Sequence, residues 1–426
     1  MAENFVIRGN FIYCKENREL VVCEDSYGVC VDGVSQGVFR ELPGEYRGLP
    51  IVDHGSRLIL PGLVDLHVHA PQYGFRGVGF DCELLEWLNT HTFPVESRFS
   101  DEAYAREAYG IFVEDLKNSA TTRAVIFGTI HERSTLLLME LLEETGLVTC
   151  VGKVNMDRNS PDYYIEESAG ASLQSTERFI QEAQKRFRRT KPIITPRFIP
   201  ACTDELMKEL ADLKQQYGLS MQSHLSENQG EVEWVRALCP WAEGYGDAYD
   251  QSGILQGKQT SVMAHCVLCD DREIRLLKER EVFVAHCPKS NMNLMSGIAP
   301  VRKYMEAGLH VGLGSDVAGG ENLSILEEMA RAIQISKMYW RYVDQNDKPL
   351  TAADALYLAT RGGGAFFGSV GSFEKGFAFD AVVMDDSALR SQIELCVEDR
   401  LERLIYHSGQ CTVAAKYVEG RQIEGI

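Results

Sequence analysis

Apolar residues along this chain switch repeatedly between two spacings. Short β-branched or apolar runs close on His67-Val68-His69 and recur at Thr122 to Thr129, Leu147 to Val154, Ile193 to Phe198, Ser220 to Leu225, Ser261 to Val267, Val282 to Cys287 and Val311 to Ser315. Runs of that length read as buried strands. Between them apolar residues return every three or four positions, the period of a helix face. Leu206, Leu210, Leu213 and Tyr217 make one such face, with Thr203 and Asp204 as caps and Gly218 as a stop. Asp101 to Asn118 makes another, with Tyr104, Ala108, Ile111 and Phe112 predicted to share one face. Eight strands alternating with helices predict an α/β fold, a (β/α)8 TIM-type barrel over residues 60–364. A doubly wound open sheet lacks support, because no glycine-rich loop follows the first strand. Residues 1–59 and 365–426 read as short strands between turns, and are expected to pair into one small flanking β-sandwich built from both termini.

Composition narrows the classes of function. The chain has 426 residues and a formal net charge of −19, which disfavours a protein that tracks phosphates and hence a nucleic-acid partner. No apolar stretch is long enough to span a bilayer, so no membrane partner is expected. Met1-Ala2-Glu3-Asn4 does not read as a signal peptide, and the expected location is cytoplasmic. The 12 cysteines are scattered and fit reduced core thiols; Cys266 and Cys269 are the one close pair, with no second pair to complete a metal site.

Chemistry enters at the strand ends, where barrels of this kind carry their active groups. Residues i and i+2 of a strand share a face, so His67 and His69 project together. Strand four ends at Arg197 and Phe198, strand five at His224 with Glu227 just beyond, strand six at His265 and strand eight at Asp316. Three imidazoles and a carboxylate (His67, His69, His224, Asp316) suit one Zn2+ per chain, with Fe2+ close behind. Strand four offers no lysine at its end to bridge a second ion. Glu227 is placed to move a proton between water and a substrate nitrogen. His286, at the end of strand seven, is expected to be a satisfied core or rim histidine.

These residues resemble the amidohydrolase superfamily, whose pattern is His-x-His, His, His, Asp on a barrel with a flanking β-sandwich. Pro61 to Tyr73, Leu84 to Leu88, Thr92 to Glu96, Pro196-Arg197-Phe198, Ser223 to Asn228 and Gly314 to Gly320 are narrower, and resemble the guanine deaminase family. The resemblance implies hydrolysis of guanine to xanthine and ammonia, in purine catabolism or salvage, by attack of metal-activated water at C2. It implies that Glu227 protonates the adjacent ring nitrogen, that Asp316 also accepts a water proton, and that His265 hydrogen-bonds the attacking oxygen. Gln72, Arg197 and Phe198 match positions that hold the purine, the small-molecule partner. A guanidinium suits a carbonyl such as O6 and would reject the amino group of adenine. Trp87 fits either a lid or the core. A homodimer is expected on the same basis. Two other readings stay open at this point: a related amidohydrolase acting on 8-oxoguanine, a pterin, cytosine or a triazine, and a non-catalytic scaffold. A nucleic-acid deaminase of the His-x-Glu and Pro-Cys-x-x-Cys design is absent from the sequence.

Overall fold

The protein is described by a computed structural model over residues 4–425. It opens with β1 (Phe5–Cys14), β2 (Leu20–Val31), β3 (Val34–Phe39) and β4 (Ile51–Pro61). One residue later the chain enters the barrel as β5 (Leu63–His69), buried at every position as expected of a parallel strand covered on both faces. The barrel continues through β6 (Thr121–Phe127), β7 (Val148–Gly152), β8 (Val154–Asn155), β9 (Thr190–Pro192) and β10 (Thr195–Pro196). It is completed by β11 (Met221–Leu225), β12 (Ser261–His265), β13 (Phe283–His286) and β14 (His310–Leu313). The fourth predicted strand is split into β9 and β10, since Pro192 and Pro196 bring no N–H to a ladder.

β5, β6, β7 and β9 form one parallel sheet and β11 to β14 another. A bridge between Ile194 and Met221 joins them on one side. On the other, Asp316 N donates to His67 O at 2.8 Å and His69 N to Val317 O at 3.1 Å, which closes the TIM barrel. Val64, Leu66, Val125, Ile193, Val262 and Phe283 fill its interior. The C-terminal segment supplies β15 (Ala381–Asp385), β16 (Thr412–Val418) and β17 (Arg421–Gln422), with a helix at Val397–Tyr406 between β15 and β16. The terminal strands from both ends of the chain are hydrogen-bonded as one seven-stranded sheet in the order β17-β16-β15-β4-β1-β2-β3. It has its own core around Phe5, Phe11, Ile59, Phe373, Phe379 and Tyr417.

The helix at Asp204–Tyr217 follows its pattern: Thr203 accepts from Leu206 N, and Gly218 ends it at φ 63°. The helix Glu102–Asn118 is rotated from the predicted face. Ala105, Tyr109, Phe112, Val113 and Leu116 are buried, while Ile111 is 52% exposed. Tyr104 packs at the flank against Phe99 and the Arg98 guanidinium, leaving the inward stripe to start one residue later. Among the described residues no helix is long and apolar enough to cross a membrane.

Candidate metal centre and cavity

The strand ends bring the predicted ligands to one place. His69 Nε2 lies 3.1 Å from His224 Nε2, and Asp316 Oδ1 lies 3.1 Å from His67 Nε2 and 3.5 Å from His69 Nε2. Atoms bound about 2.0–2.1 Å from one tetrahedral ion stand roughly 3.3–3.4 Å apart, so these spacings fit a shared cation. His67 Nε2 is buried without a hydrogen-bond partner among the described residues. His224 Nδ1 lies 2.6 Å from Arg197 O, and donating there leaves the Nε2 lone pair aimed at the same point. Two overlapping groups meet the geometry of an ion site, His67 with His69 and His224, and His67 with His265 and Asp316. Burial holds His69 and His224 well below the ordinary imidazole range, in the neutral form a metal requires. Burial works against ionisation of Asp316, yet His67, His265 and His69 outweigh it and hold the carboxyl far below the usual range.

Asp65, which the sequence did not single out, holds the frame beneath these ligands. It accepts from His67 N at 3.1 Å, from Ser315 N at 3.0 Å and from Ser315 Oγ at 2.5 Å, tying β5 to the residues after β14. Its carboxyl is pushed up to about 6 by burial.

Glu227 lies beside this centre, with Oε2 3.3 Å from His265 Nε2. Burial first, then the nearby Glu231 and Asp316 carboxylates, raise its carboxyl well above the ordinary range. His265 is lowered to about 4 by burial and is neutral at pH 7. Its Nδ1 faces Asn291 Oδ1 at 2.9 Å; with the hydrogen there, Nε2 carries a lone pair toward Glu227. Asn291 was not anticipated, because it reaches the site from a helix after β13. Glu231 also escaped the sequence reading, although Asn228-x-x-Glu231 is a capping box visible in the sequence. Its carboxylate accepts from Glu227 N at 3.2 Å, fixing the turn that carries the acid.

His69, His224, Glu227, His265 and Asp316 line one cavity together. Phe198, Trp87, Leu88 and Leu294 supply apolar surface, and Gln72 and Arg197 form the far polar wall. Trp87 is buried, donates its indole N–H to Val78 O at 3.2 Å, and still faces the cavity. The sequence reading missed Glu96, which is wholly buried and pairs with Arg197 at 2.7 Å. His286 differs from expectation. It is buried as predicted, but neither ring nitrogen finds a partner among the described residues. Burial lowers it to about 3, and the neutral ring carries a smaller penalty for the missing partners than a cation would. All 12 cysteines are free thiols, including the buried Cys266 and Cys269.

Comparison with known proteins agrees with this architecture. Residues 58–423 match the Amidohydrolase family. The chain is 40% identical over 379 residues to the guanine deaminase of Mus musculus, covering 85% of this chain and 82% of that protein. It is 36% identical over 393 residues to the guanine deaminase of Escherichia coli strain K12, covering 90% and 86%. Its fold superposes with a TM-score of 0.95 on the crystal structure of a guanine deaminase from C. acetobutylicum with bound guanine in the active site. That protein is 43% identical, over 99% of this chain and 100% of its own. By sequence over most of its length and by fold over nearly all of it, this chain belongs to the amidohydrolase family.

Proposed function

We propose that this protein hydrolyses guanine to xanthine and ammonia with one bound Zn2+ per chain. The observation that carries the reading is a single cavity holding a buried carboxyl, Glu227, between a ligand cluster suited to a cation and the Arg197 and Gln72 side chains. His67, His69, His224 and Asp316 would hold the metal, and the nitrogen-rich set favours zinc over harder cations. When bound, that ion supplies positive charge and water acidified to a pKa of about 7.

The chain's own residues do the rest. Glu227 keeps a proton on its carboxyl and delivers it to the ring nitrogen beside C2, making that carbon more electrophilic. Once Glu227 turns its proton to the ring nitrogen, the His265 Nε2 lone pair that faced it is free to accept a hydrogen bond from the attacking water and orient it. Asp316, its carboxyl held far below the usual range, accepts the proton the water loses and passes it to the departing amino group, which leaves as ammonia, while the hydroxyl proton left at C2 returns to Glu227 as the carbonyl of xanthine forms. Arg197 and Gln72 hold the purine edge, and Phe198 covers its face. A homodimer and a cytoplasmic setting are further expectations from the family; the unpaired cysteines support a reducing compartment.

Ammonia release from guanine, 8-oxoguanine, adenine, cytosine and ammeline, on protein with its metal quantified, tests the reading. Preference for guanine with about one zinc per chain is expected. Preference for another base would overturn the substrate, and metal-replete protein releasing no ammonia would overturn the activity.

A further inference from the structure

One buried acid at the cavity takes no part in the reaction above. Glu96 ends the short helix Phe93–Glu96, and it faces the two side chains that hold the purine edge. Its Oε2 accepts from Arg197 Nη1 at 2.7 Å. Its Oε1 accepts from Arg197 Nη2 at 3.2 Å and from Gln72 Nε2 at 2.8 Å. An ionised carboxylate has no hydrogen to offer, so each group touching it must donate. At the other end of the Gln72 amide, Ala318 N–H donates to Oε1 at 3.1 Å. Those two neighbours, one accepting only and one donating only, leave the Gln72 amide a single satisfied orientation.

Arg197 is constrained just as tightly. Its Nη1 is occupied by Glu96 and by the Met156 sulfur at 3.7 Å, and the Phe93 ring lies 4.9 Å from the guanidinium carbon. The hydrogens left without a partner are the Arg197 Nε–H, one on Nη2 and one on Gln72 Nε2, against a single remaining lone pair on Gln72 Oε1. Donors therefore outnumber acceptors on this wall.

We infer that Glu96 is a positioning residue that sets the hydrogen-bond polarity of this wall, so that it selects a purine with a carbonyl oxygen at C6 over one with an amino group. The inference rests on the reading of Arg197 and Gln72 as the groups that hold the base. A 6-amino group brings hydrogens against hydrogens and leaves the buried donors unpaired, whereas a carbonyl satisfies them. Glutamine at position 96 cannot reproduce the arrangement. Whichever way its amide turns, one N–H faces an Arg197 or Gln72 donor, and the guanidinium or the Gln72 amide must move.

Hypoxanthine and adenine, neither of which carries the 2-amino leaving group, differ at C6 and N1 and report on the wall without turnover. Calorimetry on metal-replete protein is expected to show hypoxanthine bound more tightly than adenine, and Glu96→Gln is expected to narrow that preference at least about tenfold. In steady-state assays Glu96→Gln is expected to raise KM for guanine more than it lowers kcat, with metal content unchanged. Equal weakening of both ligands, or an unchanged ratio, would overturn the inference and leave Glu96 a structural acid. Should Glu96→Gln fail to fold, the pair Glu96→Gln with Arg197→Met removes both charges together and avoids a lone buried ion. Retention of the wild-type preference in that folded double variant would equally overturn it. Wild-type protein that distinguishes the two ligands but releases no ammonia from guanine would instead sink the deaminase reading and leave the role of Glu96 standing.

Discussion

Replacing Glu227 with glutamine separates the proton from the shape of the side chain. The native carboxyl is buried, which pushes its pKa above the ordinary range, and its protonated form, with Oε2 3.3 Å from His265 Nε2, is the one that glutamine imitates. A glutamine amide is also neutral, has nearly the same volume, and can donate to that same nitrogen. The stability change is therefore expected to stay below about 1 kcal/mol, within the range of volume-conserving swaps. Catalysis is another matter, because an amide cannot release and recover a proton at neutral pH. Loss of a positioned acid–base group costs about 10²- to 10⁴-fold in kcat, or roughly 3–5 kcal/mol in barrier. The assay is ammonia release from guanine beside metal analysis and urea denaturation of the same preparations. Expected are normal metal content, a near-native denaturation midpoint and kcat down by at least about a hundredfold. Metal loss in Glu227→Gln would make Glu227 a ligand or a structural acid. Retention of more than about a tenth of the activity would remove it from proton transfer.

Asp316→Asn is expected to lose both metal and turnover, because the amide removes the charge that faces His67 and His69 at 3.1 and 3.5 Å; metal content and activity near normal would exclude it from the centre. Lys416 offers a prediction about pH. Its ammonium donates to Ser119 O and Thr121 O in a buried seam between the terminal sheet and the barrel, and burial lowers it from 10.5 to about 7. The folded state thus releases this proton near pH 7 while the unfolded chain keeps it up to about 10.5. Stability is expected to rise with pH between those limits, by up to about 5 kcal/mol at 1.36 kcal/mol per pH unit. Lys416→Met is expected to remove that rise, and denaturation midpoints with the same pH slope in both proteins would refute the assignment.

The metal ligands were legible because each sits where a strand period or a strand end makes its direction predictable. His67 and His69 share a face by the two-residue repeat, and His224, His265 and Asp316 each lie at or just past the C-terminal end of a strand. The groups that orient them were not legible. Asp65 is buried one turn of the pleat below His67, where an acid in an apolar strand gives no hint that its partner is Ser315, 250 residues away. Asn291 and Glu96 reach the site from short helices in loops, whose path carries no periodic signal. The rotated face of the helix Glu102–Asn118 shows the limit of reading polarity alone. Ile111 is apolar yet exposed, because neighbouring Tyr109 and Phe112 already fill the inward surface. His286 shows the complementary limit, since whether a buried imidazole finds a partner depends on neighbours brought from other strands.

The pairing of the two chain ends has a consequence for synthesis. β4 lies between β1, its parallel neighbour, and β15, whose Ala381 pairs with Pro61, 320 positions earlier in the chain. While the ribosome is still translating the barrel, β4 can add to β1 but has an open edge on its other side. The same delay leaves Arg123, at the foot of β6, without Asp380, its partner at 2.6 Å in the finished protein. An exposed strand edge and an unpaired buried cation both persist until Asp380 and β15 emerge. Closure of this sheet therefore waits for β15, and chains that terminate before β15 expose an edge that chaperones or other nascent chains can occupy.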